Sequence, residues 1–323
     1  MACGGAQKFL IPNRAWPCGM VAGIPVPERG LPVFVATLKL DHIYDLGTTP
    51  YGQRKVCTVQ GGEVSGPRLT AAVMPGGLDF QLNFSNGAME IEQLLVLRTG
   101  DGKYLNLRNA GTAADASDVR LVPDFEAPNA SSYRWLNTGK FAARREVDFA
   151  AKAMRFTVYD VSGVDLVPTP ANSVPVVKPP NVPDQPWDCR QATAGERRGD
   201  PIITEHVTLG ASQSVGAMKR GNRNIIPITG GTIQGRITGK VLAGGADFQN
   251  LKHPMTLDAR YLWQTSDGEV IIVRNGGSLG LLAPRFEVRM DSPYAWLNQG
   301  QYLSSIPSVG PGGVGLTFYE SQP

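Results

Sequence analysis

The two halves of this chain carry the same motifs in the same order, and that repeat limits the folds open to it. Gly52-Gln53-Arg54, Gly61-Gly62 and Gly66 return with the same spacing as Gly221-Asn222-Arg223, Gly230-Gly231 and Gly235. Gly76-Gly77-Leu78-Asp79-Phe80-Gln81 returns as Gly244-Gly245-Ala246-Asp247-Phe248-Gln249. Asp101-Gly102 matches Asp267-Gly268, Arg108-Asn109 matches Arg274-Asn275, and Tyr133-Arg134-Trp135-Leu136-Asn137 matches Tyr294-Ala295-Trp296-Leu297-Asn298. The offset drifts only from 169 to 161 residues along the series. A period this long describes a complete domain, not a solenoid module.

The repeat divides the chain into a Gly/Pro-rich arm (1–30), a first repeat (31–164), a linker (165–199) and a second repeat (200–323). The linker is built from polyproline-like steps, which make a semi-extended spacer. Of 323 residues only 18% are charged, while 38 are Gly and 25 are Pro. Few charges with many turn formers favour all-β architecture over helix bundles.

Within a repeat the strand signals are plain. From Val33 to Ile43, the residues Phe34, Ala36, Leu38 and Leu40 fall on one face, with Thr37, Lys39 and Asp41 on the other. Gly61-Gly62 and Gly230-Gly231 read as hairpin turns between apolar-alternating runs. Asp101-Gly102 and Asp267-Gly268 read as type I′ hairpins. Phe141 to Met154 is the one helix-like stretch, with poor apolar spacing. The expected fold is all-β: two tandem antiparallel β-barrels of about eight strands each, forming a pseudo-dimer. Closure into a barrel removes the exposed edges that so many short strands would otherwise leave.

Composition argues against several classes of function. The net charge of +3 is spread along the chain, without the concentrated basic face that nucleic-acid binding needs. No apolar run approaches the roughly 20 residues of a transmembrane helix, and no signal peptide is evident. Cys3, Cys18, Cys57 and Cys189 lack C-x-x-C spacing, and the three His are far apart, so no metal site is expected. A Cys18–Cys189 disulfide in an exported protein and free thiols in a cytoplasmic one remain alternatives. A lipidated Cys3 in the periplasm is a further reading. Self-association as a homo-oligomer is compatible with the composition.

No nucleophile elbow, phosphate loop or dinucleotide fingerprint is present, and no cofactor is expected. Candidate chemistry falls on polar residues that recur. Asp79 and Gln81, like Asp247 and Gln249, share one face of a strand, with Phe80 and Phe248 on the other. An inward carboxylate needs a partner or a ligand. Arg54 and Arg223 are expected as that partner, either in a structural ion pair or as an oxyanion anchor beside an Asp acid/base. Tyr133, Trp135 and Asn137, and Tyr294, Trp296 and Asn298, form either a core plug at one barrel end or an aromatic wall for a flat ligand. His253, Asp258, Arg260 and Tyr261 occur only in the second repeat, which points to that half as the active one. An exposed loop is the alternative for His253, which Pro254 follows.

Together these strings, from Gly52-x-Arg54 through Pro75-Gly76-Gly77-x-Asp79-Phe80-Gln81 to Trp135-Leu136-Asn137, resemble the family known as domain of unknown function 3237. The resemblance covers about four-fifths of the chain. It departs from the family where Phe80 and Phe248 stand for the usual Trp, where Gly235-Arg236 stands for Gly-Pro, and in being a tandem copy. It implies small closed barrels related to calycins and to allene-oxide-cyclase-like barrels. Enzymes of that broader type cyclise or isomerise without a cofactor. The expected function is a cofactor-independent isomerase, cyclase, lyase or lactone hydrolase acting on a small oxygenated organic molecule. A carbohydrate- or phenolic-binding protein and a purely structural tandem barrel are the alternatives.

Overall fold

The computed structural model describes residues 24–164, 179, 181–193 and 195–323. Cys3 and Cys18, and with them the lipidation and disulfide expectations, lie outside the described residues. The described residues fall into two compact units, one ending at Gln185 and the other starting at Pro186, with Leu46–Pro50 counted in the second.

The first unit holds strands β1 (Leu31–Thr49), β2 (Gly52–Ser65), β3 (Ala71–Val73), β4 (Gly77–Asn83), β5 (Met89–Thr99), β6 (Tyr104–Ala113), β7 (Val119–Glu126), β8 (Phe141–Asp148) and β9 (Ala153–Asp160). All its strand pairings are antiparallel, and the ring β1-β9-β8-β7-β6-β5 closes through β3 and β4 onto β2 and back to β1. β3 and β4 share one place in the ring, which makes a closed eight-strand barrel. Its core includes Phe34, Ala36, Leu38 and Leu40 on the inward face of β1, as the alternation requires.

The second unit repeats this plan with β10 (Arg197–Leu209), β11 (Gln213–Met218), β12 (Gly221–Gly235), β13 (Gly239–Val241), β14 (Ala246–Asn250), β15 (Thr256–Thr265), β16 (Val270–Ser278), β17 (Leu281–Leu282), β18 (Arg285–Glu287), β19 (Tyr302–Ser304), β20 (Ser308–Gly310) and β21 (Gly313–Gln322). Here the ring runs β10-β21-β19-β17-β16-β15, then through β13 and β14 to β12 and back to β10. No helix among the described residues is long and apolar enough to cross a membrane.

Three local expectations change. Phe141 to Met154 is not a helix but β8, a turn and the start of β9. Its apolar residues Phe141, Ala143, Val147 and Met154 serve strands that each bury one face. Gly61-Gly62 and Gly230-Gly231 are not turns; they lie inside β2 and β12. A Cβ on Gly62 would overlap the carbonyl oxygen of Thr37, and one on Gly231 that of His206. These glycines let neighbouring strands approach where the wall bends. Asp101-Gly102 and Asp267-Gly268 do turn the chain, but only Gly102 (φ 80°) and Gly268 (φ 97°) are left-handed. Gly102 N–H bonds Thr99 O, and Thr99 N–H bonds Lys103 O. This is a three-residue hairpin loop with glycine in its last place, not a type I′ turn.

Candidate functional site

The two interiors can be compared position by position, because the strand registers coincide. In the first barrel Cys57, Asp79, Gln93 and Asn109 stand side by side across β2, β4, β5 and β6. In the second, Ile226, Asp247, Ala259 and Asn275 occupy the same places across β12, β14, β15 and β16. Counting on from the shared Trp-Leu-Asn motif, Arg145 of the first half corresponds to Ile306 of the second.

The interior of the first barrel is filled by its own side chains. Asp79 is fully buried, and Arg145 Nη2 donates to its Oδ1 at 2.9 Å and its Oδ2 at 2.5 Å. Gln81 Nε2 donates to Asp79 Oδ2 at 3.3 Å. Asn109 Nδ2 donates to Gln93 Oε1 at 2.7 Å, and Gln93 Nε2 lies 3.0 Å from Met154 Sδ. Burial pushes the Asp79 carboxyl up, against the pull of Arg145 and Gln81.

In the second barrel the plug is gone. Ala259, Ile306 and Val314 stand where Gln93, Arg145 and Met154 stand in the first. A cavity of about 610 Å³ lies there, walled mainly by aliphatic side chains such as Val207, Ile228, Leu257, Leu282 and Leu316. Only four of its lining residues are polar: Asp247, Gln249, Tyr261 and Asn275. Its volume falls in the range of small-molecule sites, roughly 300–1,000 Å³. Leu279, Ile306 and Val309 line it and are also exposed, so an apolar rim surrounds the mouth.

Asp247 lines the cavity and is half-buried. Gln249 Nε2 donates to its Oδ2 at 2.8 Å, and the Asp258 N–H donates to its Oδ1 at 3.2 Å. Among the described residues no cation makes an ion pair with it. Burial, aided by the nearby Asp258 charge, pushes its carboxyl up to about 6 despite these hydrogen bonds and the more distant Arg223. Asn275 Nδ2 donates to Ser304 Oγ at 3.1 Å, while its Oδ1 has no protein donor, as is also true of Asn109 Oδ1.

Tyr261 leads outward from the cavity to a buried carboxyl. Its hydroxyl donates to Glu205 Oε1 at 2.6 Å, and Trp263 Nε1 donates to Glu205 Oε2 at 2.9 Å. Burial pushes the Glu205 carboxyl up to about 7 and the Tyr261 phenol well above its usual range.

Of the residues expected from sequence, Asp247, Gln249 and Tyr261 meet in this cavity, and Asp79 and Gln81 meet in the filled interior. The expected Asp–Arg pairs do not form. Arg54 is in register with Leu82, and Arg223 with Asn250, which puts both on the outer face, opposite to the carboxylates. Arg54 donates instead to Gln185 Oε1, and Arg223 to Phe248 O. Asp258 and Arg260 alternate with the inward Ala259 and Tyr261, so they too face outward. There they pair with each other, Cys189 Sγ lies 3.0 Å from Asp258 Oδ1, and Arg260 donates to Trp187 O. His253 lies in an exposed loop between β14 and β15.

The aromatic motifs take the same local form in both halves, and Tyr294, Trp296 and Asn298 do not line the cavity. Each forms a one-turn 3-10 helix, at Arg134–Asn137 and Ala295–Asn298. Asn137 bonds both the N–H and the C=O of Ala127, and Asn298 those of Val288. The Tyr133 hydroxyl donates to Asp101, and that of Tyr294 to Asp267, which ties each turn to the Asp-Gly hairpin. Trp135 and Trp296 stack edge-on against Phe141 and Tyr302.

Glu205, Asn275 and Ile306 were missed from sequence. The signal lay in column-by-column comparison of the halves: Glu205 falls where the first repeat has Ala36, and Ile306 where it has Arg145.

A family model described as Protein of unknown function (DUF3237) matches residues 29–164 and 198–281. A UPF0311 protein of Bradyrhizobium diazoefficiens is 40% identical over 78 residues, which cover 24% of this chain and 51% of that protein. A UPF0311 protein of Clostridium acetobutylicum is 29% identical over 117 residues, 33% of this chain and 70% of that protein. The chain thus spans about half the length of the first of these relatives. A crystal structure of a conserved protein of unknown function from Rhodopseudomonas palustris has 29% sequence identity and a TM-score of 0.36, covering 40% of this chain and 100% of that one. With the family model matched in each half, this chain belongs to the DUF3237 family of proteins of unknown function.

Proposed function

We propose that the second barrel is a cofactor-independent enzyme, an isomerase, cyclase, lyase or lactone hydrolase, acting on a small oxygenated organic molecule held in the cavity. One observation carries this reading: Asp247 keeps the place of Asp79 but has lost the arginine, and it faces an apolar space instead. A carboxyl with its pKa near 6 in such a place exchanges protons readily near neutral pH. Gln249 fixes its orientation, and Asn275 adds a polar side chain to the same cavity wall. The first barrel, with its carboxylate already neutralised, serves the fold.

The test is turnover of a panel of lactones, phenolic enones and sugars, followed by mass spectrometry and ligand-induced thermal shift. Asp247→Asn should lower turnover by about 10²–10⁴-fold and keep the thermal shift. Wild-type turnover in that variant would sink the assignment. A carrier reading rests on the cavity alone; it expects the thermal shift with no product from either protein.

A further inference from the structure

We propose that Tyr261, backed by Glu205, is a second proton-handling group of this cavity, and that the substrate is an uncharged carbonyl compound whose oxygen lies against the Tyr261 hydroxyl while a C–H next to the carbonyl lies against Asp247. The proposal rests on the reading that Asp247 does acid/base chemistry here, and it adds the substrate class and a second residue.

Asp247 on β14 is in register with Ala259 on β15, and Tyr261 follows two residues along the same inward face. Both line the cavity, and the Asp247 charge is close enough to act on the Tyr261 phenol. Glu205 does not line the cavity and is only 4% exposed. Tyr261 therefore stands between the cavity and a sealed carboxyl, joined to it by a 2.6 Å hydrogen bond.

The repeat supplies an independent comparison. Glu205, Tyr261 and Trp263 take the places of Ala36, Leu95 and Leu97 in the first barrel, all three fully buried. The fold is thus satisfied by hydrocarbon at these positions. A buried carboxyl held by two neutral donors, with no cation beside it, is costly to keep. It occurs in the barrel that has the cavity. Glu205 satisfies the buried Tyr261 hydroxyl and Trp263 N–H, and a proton relay accounts for the choice of a carboxyl for that task.

The chemistry balances without a co-reactant. The Asp247 carboxylate takes a proton from the carbon beside the carbonyl. The C–H electron pair becomes a C=C bond, and the carbonyl π pair moves to oxygen. Tyr261 gives that oxygen its proton and is resupplied by Glu205 in its acid form. Where the substrate carries a C=C bond one carbon further along, the enol is a dienol; the proton returns from Asp247 to its far carbon, the enol proton goes back to Tyr261 and Glu205 as the C=O bond re-forms, and the product is the conjugated isomer. Aimed donors at a developing oxyanion contribute strongly in a water-poor site. Tyr261 is the catalytic residue in this scheme, and Glu205 is a positioning residue that acts through it.

The groups that bear on the relay are few. Tyr261 faces Glu205 from β15, and Asp247 acts on Tyr261 from β14. Arg223 and Asp258 act on Asp247 in opposite directions. The register neighbours of Glu205 on β12 and β21 are Ile233 and Leu316, which carry no charge.

The experiment uses the full chain and 2-tetralone in D₂O, with exchange of its C–H protons next to the carbonyl followed by proton NMR between about pH 5 and 9, the span over which the raised carboxyls titrate. Wild type should accelerate exchange. Tyr261→Phe, which removes one oxygen atom, should lower the rate about 10²–10³-fold. Glu205→Gln, close to isosteric, should erase the fall in rate near pH 7 and leave the rise that Asp247 sets near pH 6, which a purely structural role would not do. Binding of 2-naphthol, read by its fluorescence, gives a measurement that needs no turnover; Tyr261→Phe should weaken it at least about tenfold. If Asp247→Asn stops exchange while Tyr261→Phe and Glu205→Gln keep the wild-type rate and profile, the relay is wrong and the Asp247 reading stands. Absence of exchange in wild type would overturn the carbonyl assignment, leaving Asp247 to be judged on the lactone and sugar panel. Equal naphthol affinity in Tyr261→Phe would likewise overturn it.

Discussion

Asp79 and Asp247 are the same residue in two settings, and Arg145 makes the difference. Removing one partner of a buried ion pair leaves a charge that neither water nor protein solvates. Arg145→Met should therefore destabilise the first barrel by about 3–5 kcal/mol in urea unfolding. Asp79→Asn combined with Arg145→Met should recover most of that loss, because no charge is left stranded. Glu205 gives the opposite experiment. Its carboxyl is raised from the usual range to about 7 by burial, so the folded chain holds this proton more tightly than the unfolded chain does. Its stabilising contribution is complete below about pH 4 and is lost as pH rises through about 7. A rise of this size corresponds to about 3 kcal/mol. Glu205→Gln should accordingly be the more stable protein above about pH 7, by up to that amount, with the gap vanishing near about pH 4. Asp247 adds a smaller drift of the same sign, since cavity water reaches it.

At the scale of elements, period-two alternation is the most legible signal. It places Phe34 to Leu40 correctly, and it puts Asp247 with Gln249 on one face of β14. The same rule, applied to β15, separates Tyr261 from Asp258 and Arg260, which proximity along the chain groups together. The expected arginine partners fail for the same reason: Arg54 is three residues from Cys57, the residue across from Asp79, and so faces the other way. Paired glycines mislead because a turn and a close strand approach demand the same residue. Gly231 tests this. A methyl group there would meet the backbone of His206 and not a movable side chain, and its φ of 146° already disfavours other residues. Gly231→Ala should cost about 3 kcal/mol or more in the second barrel, and a thermal melt should show the loss. Were Gly231 a turn residue in an open hairpin, alanine would cost far less.

For the molecule as a whole, duplication explains why the fold was readable and the site only partly so. What the halves share serves the barrel: the Asp-Gly hairpins, the Tyr-x-Trp-Leu-Asn turns, and the glycines inside β2 and β12. A site that only one half needs is set apart by the columns where the halves disagree, even though its carboxylate is shared, and the most informative of these columns look uninteresting alone. Ala259, Ile306 and Val314 carry no chemistry, yet they decide whether a barrel interior is filled or open. The loss of the plug can be reversed. Ala259→Gln with Ile306→Arg rebuilds in the second barrel the side chains that close the first. The introduced guanidinium should then pair with Asp247, hold its carboxyl down in the ordinary range for a paired carboxylate, and fill much of the 610 Å³ cavity. The double variant should melt at or above the wild-type temperature, because it neutralises a stranded carboxyl and fills a void. It should also lose both the thermal shift with 2-naphthol and any turnover. Retained ligand binding in a folded double variant would mean that the ligand sits elsewhere, and that the difference between the two interiors is not what assigns a task to the second half.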